Sequence, residues 1–283
     1  MKKNEIAILM ATYNGERYLR EQIDSIFAQT SHDWHLFVHD DGSTDGTLAI
    51  LKDYATRFSE KVTLLDYQPQ GGARDNFLSM MKAVDAACYM FCDQDDVWLP
   101  RKVSVTAQTF SQLELQHPGR PIVVCSDLSV VDENLKVVVP SMWEFSGICP
   151  QYIRNFDDAG ATAVVTGSTM LFNREARNCC VFPATAAVMH DSWISLCTLK
   201  SGGVLYAIDQ KLAYYRQHGD NCLGAGNAAA KTIGLKYRIA HFREMYKVSS
   251  AYYRMLKALG YGSVVKYVWY KLKYKLRIRR RYY

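Results

Sequence analysis

The sequence predicts an α/β domain, a mostly parallel mixed sheet flanked by helices, followed by a basic helical C-terminal extension. Three observations carry this. Short apolar runs alternate with segments of helical period through the first half of the chain. Polar, acid-rich clusters stand directly after the strand candidates. Residues 231–283 differ sharply in charge from everything before them. With 283 residues, 49% of them hydrophobic and only 7 prolines, the chain can bury a sizeable core, which excludes a disordered protein.

Taken in order, residues 5–10 form a buried strand, and Leu19, Ile23, Ile26 and Phe27 then share one helical face. Residues 35–39 are the second strand. Asp41-Gly42-Ser43 turns the chain, and Ile50, Leu51, Tyr54 and Phe58 mark a second amphipathic helix. A strand over 62–67, a helix over 77–86 and a strand over 88–92 complete the β-α pattern expected of parallel strands. After a strand at 122–126, residues 128–139 place Asp132-Glu133-Asn134 between apolar runs, as a hairpin does. Further strands are expected over 161–172 and 204–208, with a helix over 191–199. From Lys231 onward, Ile239, Phe242, Tyr246, Tyr253 and Leu256 recur at helical spacing. Residues 271–278 alternate with period two, yet Val265, Trp269, Leu272 and Leu276 also share a helical face, so strand and helix both remain open there. The division expected is a domain over 1–226 and an extension over 227–283.

Charge separates these two parts. Residues 231–283 carry 15 Lys and Arg against the single acid Glu244, a net +14, which leaves the first 230 residues at −8. An acidic body argues against nucleic-acid binding by the domain, whereas a basic, aromatic end suits an anionic surface such as phospholipid or a lipid diphosphate. No run of 18 apolar residues occurs, and Met1-Lys2-Lys3-Asn4-Glu5 leads straight into a strand without a signal-peptide core, so the expected compartment is the cytosol. None of the eight cysteines falls in a Cys-x-x-Cys pair, and they are expected as reduced thiols.

In an open parallel sheet, ligands bind beyond the carboxyl ends of the strands. Three clusters qualify: Ala11-Thr12-Tyr13-Asn14, Asp40-Asp41-Gly42-Ser43 and Asp93-Gln94-Asp95-Asp96. A carboxylate cluster after the apolar strand Cys88-Tyr89-Met90-Phe91-Cys92 is costly unless a cation compensates it. A divalent metal does so economically, and oxygen ligands suit Mg²⁺ or Mn²⁺, which complete their shells with phosphate oxygens and water.

The segments Ala11-Thr12-Tyr13-Asn14-Gly15, His39-Asp40-Asp41-Gly42-Ser43-Thr44-Asp45 and Asp93-Gln94-Asp95-Asp96-Val97-Trp98-Leu99-Pro100 resemble, in order and spacing, the successive motifs of the family-2 glycosyltransferases. The resemblance runs from about residue 4 to 224 and implies the GT-A (Rossmann-like) fold. The Asp-Gln-Asp-Asp-Val-Trp variant is further similar to bacterial rhamnosyltransferase-like enzymes of O-antigen and capsule polysaccharide biosynthesis.

By this resemblance, Asp41 accepts a hydrogen bond from the base of a nucleotide-sugar donor, and Thr12, Tyr13 and Asn14 line the nucleotide pocket. Asp93 and Asp95 match the Asp-x-Asp element, with Asp95 the leading metal ligand and Asp93 at the ribose-diphosphate edge; Asp96 caps the next helix or positions Lys102. Arg74 and Asn76 match a donor-side loop, where Arg74 would neutralise phosphate. Gly167 and Ser168 resemble an acceptor-facing strand, with Trp193 on the same side. Asp191, in Met189-His190-Asp191-Ser192-Trp193, stands where the family keeps the base that takes the acceptor hydroxyl proton during an inverting transfer. His218, in the motif Tyr214-Tyr215-Arg216-Gln217-His218, is a further metal ligand or a diphosphate donor, and Gly224 and Gly226 belong to a lid.

Tyr267, Trp269, Tyr270 and Tyr274, interleaved with Lys266, Lys271, Lys273 and Lys275, suit the lipid headgroup level. The expected acceptor is therefore a lipid-linked glycan met at the inner membrane face by a peripheral enzyme. Two alternatives stand beside this reading. A sugar nucleotidyltransferase would carry a glycine-rich, basic triphosphate loop where Ala11-Thr12-Tyr13-Asn14 stands. A noncatalytic nucleotide- or RNA-binding module would not require Asp41, Asp95 and Asp191 together.

Overall fold

Strand β1 (Ile6–Thr12) is apolar on both sides because helices cover both faces of the sheet: Ile6, Ile8 and Met10 pack into one core, Ala7 and Leu9 into the other. The computed structural model describes residues 5–160, 165–182, 184–218 and 242–282. After β1 come α1 (Glu16–Phe27), β2 (Trp34–Asp40), α2 (Thr47–Arg57), β3 (Val62–Leu64), α3 (Ala73–Ala83) and β4 (Cys88–Cys92). The four strands lie parallel in the order β3-β2-β1-β4, as the β-α alternation predicts. Helices α1 and α2 bury Leu19, Ile23, Ile26, Ile50, Leu51 and Tyr54 against the Ile8 face, while α3 buries Phe77, Met80 and Met81 against the Leu9 face.

The second half holds β5 (Val97–Trp98), α4 (Lys102–Gln116), β6 (Ile122–Val131), β7 (Val137–Val139), α5 (Met142–Ser146), α6 (Phe156–Ala159), β8 (Met170–Asn173), α7 (Arg174–Asn178), α8 (His190–Lys200) and β9 (Val204–Arg216). These extend the sheet to β8-β6-β9-β5, giving nine strands among the described residues, with β7 beside β6. Strand β8 enters antiparallel between β4 and β6, which makes the sheet mixed. The expected hairpin is present as β6 and β7.

Two expectations need correction. The strand expected over 161–172 starts only at Met170, after a 3-10 turn at Gly167–Thr169; residues 161–164 lie outside the described ones. The strand expected over 204–208 runs on for 13 residues to Arg216, because its far half pairs with both β6 and β5.

The C-terminal segment forms two helices, α9 (Phe242–Ala258) and α10 (Val264–Tyr282), so the period-two pattern at 271–278 does not make a strand. Met255, Leu256, Leu259, Tyr261, Tyr267 and Tyr274 join the core that contains Phe77, Phe91 and Trp193. Tyr274 accepts a hydrogen bond from the Cys149 amide at 2.7 Å. Tyr267 and Tyr274, expected at a lipid headgroup, are thus turned into the body, where burying two large aromatic rings is more favourable than exposing them. The expected boundary at 226, with Gly224, Gly226 and Ile239, lies outside the described residues. Seven cysteines are described and all are free thiols. Among the described residues no helix is long and apolar enough to cross a membrane.

Candidate functional site

Register brings the predicted clusters together. Thr12 pairs with Asp40 across β1 and β2, and Met10 pairs with Cys92 across β1 and β4, so all three polar segments leave the sheet at one edge. There they are stitched to each other. The Gln94 side chain accepts from the Tyr13 amide at 2.8 Å and donates to the Tyr13 carbonyl at 2.9 Å. Gly15 makes room beneath it: a Cβ there would lie 2.3 Å from Gln94 Oε1 and displace that side chain from its two bonds to Tyr13. Asn14 adopts a left-handed φ of 47° and accepts from the Thr44 amide at 2.8 Å, which braces the β2 loop.

These contacts divide the residues expected at the nucleotide. Tyr13 is 57% exposed, its ring available for stacking on a base. Thr12 is buried and donates to Asp40 at 2.9 Å, so it supports the pocket from beneath. Asp40 also accepts from Gly42, from the Ser43 amide and from the Ser43 hydroxyl, which fills its capacity and makes it a turn-former. Asp41 accepts from the backbone amides of Gln70, Gly71 and Gly72, a loop whose glycines have φ values of 80° and 139°. It therefore organises the 70–72 loop, which spends much of the hydrogen-bonding capacity of its carboxylate. Asn76 is buried, and both ends of its amide are spent on His39. Arg74 is paired with Asp75 at 2.6 Å and also donates to the Ala187 carbonyl. Reaching a phosphate would mean exchanging those partners.

The acidic cluster after β4 is electrostatically strained. Burial, then Asp95, then Asp191 push the Asp93 carboxyl up to about 7, with only Lys102 opposing them. Asp96 is fully buried and its pKa is raised by burial and by Asp93 and Asp95; its Oδ2 has no hydrogen bond of ordinary geometry, although the neighbouring Ser168 hydroxyl favours the charged form. The Lys102 ammonium is also fully buried; it donates to the Ser168 carbonyl, sits 3.7 Å from the Trp98 ring centroid, and is pushed down to about 8 by burial. Asp96 is thus buried within electrostatic reach of Lys102, and it does not cap α4, whose N-cap is Arg101 without a side-chain cap.

The long β9 delivers the remaining groups. His218 Nε2 meets Asp95 Oδ2 at 2.8 Å and packs on the Tyr18 ring. Arg216, which sequence reasoning quoted but did not single out, is 2% exposed and locks the cluster: it donates to the Asp95 carbonyl at 2.9 Å and the Glu133 carbonyl at 2.8 Å, and it pairs with Glu21. Its signal lay in its place two residues before His218, where only tertiary pairing could give it a meaning.

Asp191 lies in the first turn of α8, accepting from the Gly167 amide at 3.1 Å and the Ser192 amide at 2.5 Å. Its influence on Asp93 puts it in electrostatic reach of the donor-side cluster. Gly167 packs against His190, since a Cβ there would meet Nε2 at 2.6 Å. Gly167 and Ser168 are buried in the turn, and Trp193 is 4% exposed within the core. All three are buried rather than exposed, and of them Gly167 contacts Asp191 through its backbone amide.

The donor set fits a hard divalent cation with one imidazole ligand. Asp95 and His218 are already together, and Asp93 lies close enough to Asp95 for that carboxylate to disfavour its charge, a crowding that a cation would relieve. No group of three metal-ligating side chains is assembled among the described residues.

The fold is the GT-A fold of solved glycosyltransferases. The mannosyltransferase PcManGT from Pyrobaculum calidifontis, solved with GDP-Man and Mn²⁺, superposes with a TM-score of 0.57 at 15% identity, covering 95% of this chain and 87% of that one. S. aureus TarS 1-349, solved with UDP-GlcNAc, gives 0.54 at 19% identity over 79% of this chain, which spans 61% of that one. The family model "Glycosyl transferase family 2" matches residues 7–180, and the chain belongs to that family. It is 29% identical over 255 residues to the dTDP-rhamnosyl transferase RfbG of Shigella flexneri, covering 86% of this chain and 84% of the relative. It is also 23% identical over 235 residues to the putative teichuronic acid biosynthesis glycosyltransferase TuaG of Bacillus subtilis, covering 82% and 87%.

Proposed function

We propose that this family-2 glycosyltransferase moves a sugar, with inversion, from dTDP-rhamnose or a UDP-hexose to a hydroxyl of a growing, lipid-linked cell-surface glycan, working on the cytoplasmic side of the membrane. The observation that supports this reading is the Asp95 carboxylate joined to His218 at 2.8 Å just after β4, with the Asp191 carboxylate held by the Gly167 amide at the start of α8 and near enough to Asp93 to act on it. The likeness to a dTDP-rhamnosyl transferase supports the donor class.

Asp95 and His218, with Asp93, would hold Mg²⁺ or Mn²⁺, whose charge would offset that of the departing diphosphate. The protein's own groups do the rest. Tyr13 offers a ring to the base, and Asp41 fixes the 70–72 loop at the nucleotide's edge. Asp191 takes the proton of the acceptor hydroxyl as its oxygen bonds to the anomeric carbon, while the bond to the nucleoside diphosphate breaks on the opposite face. The Gly167 and Ser192 amides, both donating to the Asp191 carboxylate, hold it in place for that step.

Calorimetry tests the donor half. Binding of dTDP or UDP should require Mn²⁺ and be lost in Asp95→Ala, whereas Asp191→Asn should bind donor normally and transfer nothing. Metal-independent binding unaffected by Asp95→Ala would remove the metal assignment, and full transfer by Asp191→Asn would remove the base.

A further inference from the structure

Helix α10 has two apolar faces. Tyr267 and Tyr274 on one are buried in the body, while on the other Val265 is 79%, Trp269 63%, Leu272 53% and Leu276 60% exposed. At about 100° per residue these four fall within roughly 60° of arc, and Val268, 47% exposed, adjoins them. The result is one continuous apolar ridge facing away from the protein. Its flanks are basic. Lys266, Lys273 and Arg277 lie on one side of it and Lys271 and Lys275 on the other. The sequence of this helix holds eight Lys and Arg and no Asp or Glu.

We propose that this ridge docks the enzyme onto an anionic lipid bilayer. The helix lies in the interface, with Trp269, Leu272 and Leu276 entering the headgroup and acyl boundary and the flanking lysines meeting lipid phosphates. Charge decides between occupants. A second copy of the chain would set one acid-free basic ridge against another, whereas an anionic surface complements both flanks at once. Three flanking lysines are pre-set by rings of the body and of α10: Lys266 stands over Tyr261, Lys271 over Tyr267 and Lys273 over Tyr270. Lys266 also bridges to Asp157 at 2.5 Å, fixing the helix to the body so that binding need not order it anew.

The placement bears on the acceptor. Met255 of α9, in the same core as Tyr267 and Tyr274, accepts from the Val188 amide at 3.3 Å, three residues before Asp191. Half-buried Tyr252 of α9, whose hydroxyl is pushed up chiefly by burial, is also near enough to Asp191 for that carboxylate to add to the push. Docking on α10 therefore holds the base-bearing side of the enzyme near the bilayer, where a lipid-borne hydroxyl would arrive. That last link rests on the proposed transfer reaction; the docking itself does not.

Flotation of the full chain with phosphatidylcholine vesicles, with and without phosphatidylglycerol, tests the docking without donor or acceptor. The parent should float with the anionic vesicles alone, and high salt should release it. Trp269→Glu combined with Leu272→Glu should lower the partition coefficient by at least about tenfold while leaving the thermal midpoint unchanged, since both side chains are exposed. Lys271→Ala with Lys275→Ala should weaken anionic binding only. Failure of the parent to float, or equal flotation of the double Glu variant, would overturn the proposal. So would sedimentation showing a dimer that the Glu pair dissociates without any vesicle binding. If flotation succeeds while the parent transfers no sugar from any nucleotide-sugar donor, the docking stands and the transfer reading fails.

Discussion

Replacing Asp93 with asparagine should stabilise the metal-free protein at mildly alkaline pH, although it should damage function. Asp93 is held at about 7 against 3.8 for an ordinary aspartate, because burial and the neighbouring Asp95 and Asp191 disfavour its charge. At about 1.4 kcal/mol per tenfold, ionising it in place costs at most roughly 4 kcal/mol, and roughly 2 after local relaxation and water entry. The sign follows from proton counts. Between about pH 4 and pH 7 the native carboxyl holds a proton that the unfolded chain has released, so Asp93's contribution to stability falls as pH rises through that window and is level above it. The gain from Asp93→Asn should accordingly be near zero at about pH 4 and reach roughly 2–4 kcal/mol at about pH 8, or about 4–8 °C in midpoint for a chain of this size. Thermal melts of both proteins across that range, in EDTA and in Mn²⁺, measure it. Mn²⁺ should raise the parent's midpoint by neutralising the cluster and do markedly less for the variant. A variant no more stable than the parent at about pH 8 in EDTA, or equal shifts of both by Mn²⁺, would refute the reasoning.

Two further outcomes follow from the same pocket. His190 is wedged between Phe77 and Phe91, and burial pushes it down to about 4; its neutral form is the native one, so its contribution is intact above about pH 6.5 and is lost as pH falls towards 4, by up to roughly 3 kcal/mol. His190→Asn should cost packing stability near neutral pH, but chemical denaturation should show that deficit shrinking on acidification; a deficit independent of pH would count against a buried neutral imidazole. Lys102→Met should destabilise the protein by about 3–5 kcal/mol at neutral pH because Asp96 is left buried without its cation. Adding Asp96→Asn should recover a large part of that loss in a double-mutant cycle, and strict additivity would show that the two do not interact.

Much of the candidate site could be read along the chain because it depends on local order. Apolar runs of period two and helices of period 3.6 predict β1 to β4 with their intervening helices, and parallel strands must put Thr12, Asp40 and Asp93 at one edge. The acid at the start of α8 was equally legible, being defined by its few neighbours. What the sequence could not fix were roles set by long-range partners. Thr12, Asn76 and Trp193 have the composition of site residues, yet contacts to Asp40, to His39 and within the core turn them inward. Arg216 gains its function only because β9 extends past its predicted end to reach Asp95, Glu133 and Glu21. On α10, the sequence by itself determined an alternation of aromatic and basic residues. Tertiary packing decided which of them are buried: covering one face of a helix costs the other its cover, so Tyr267 and Tyr274 went into the core and Trp269, Leu272 and Leu276 were left facing out.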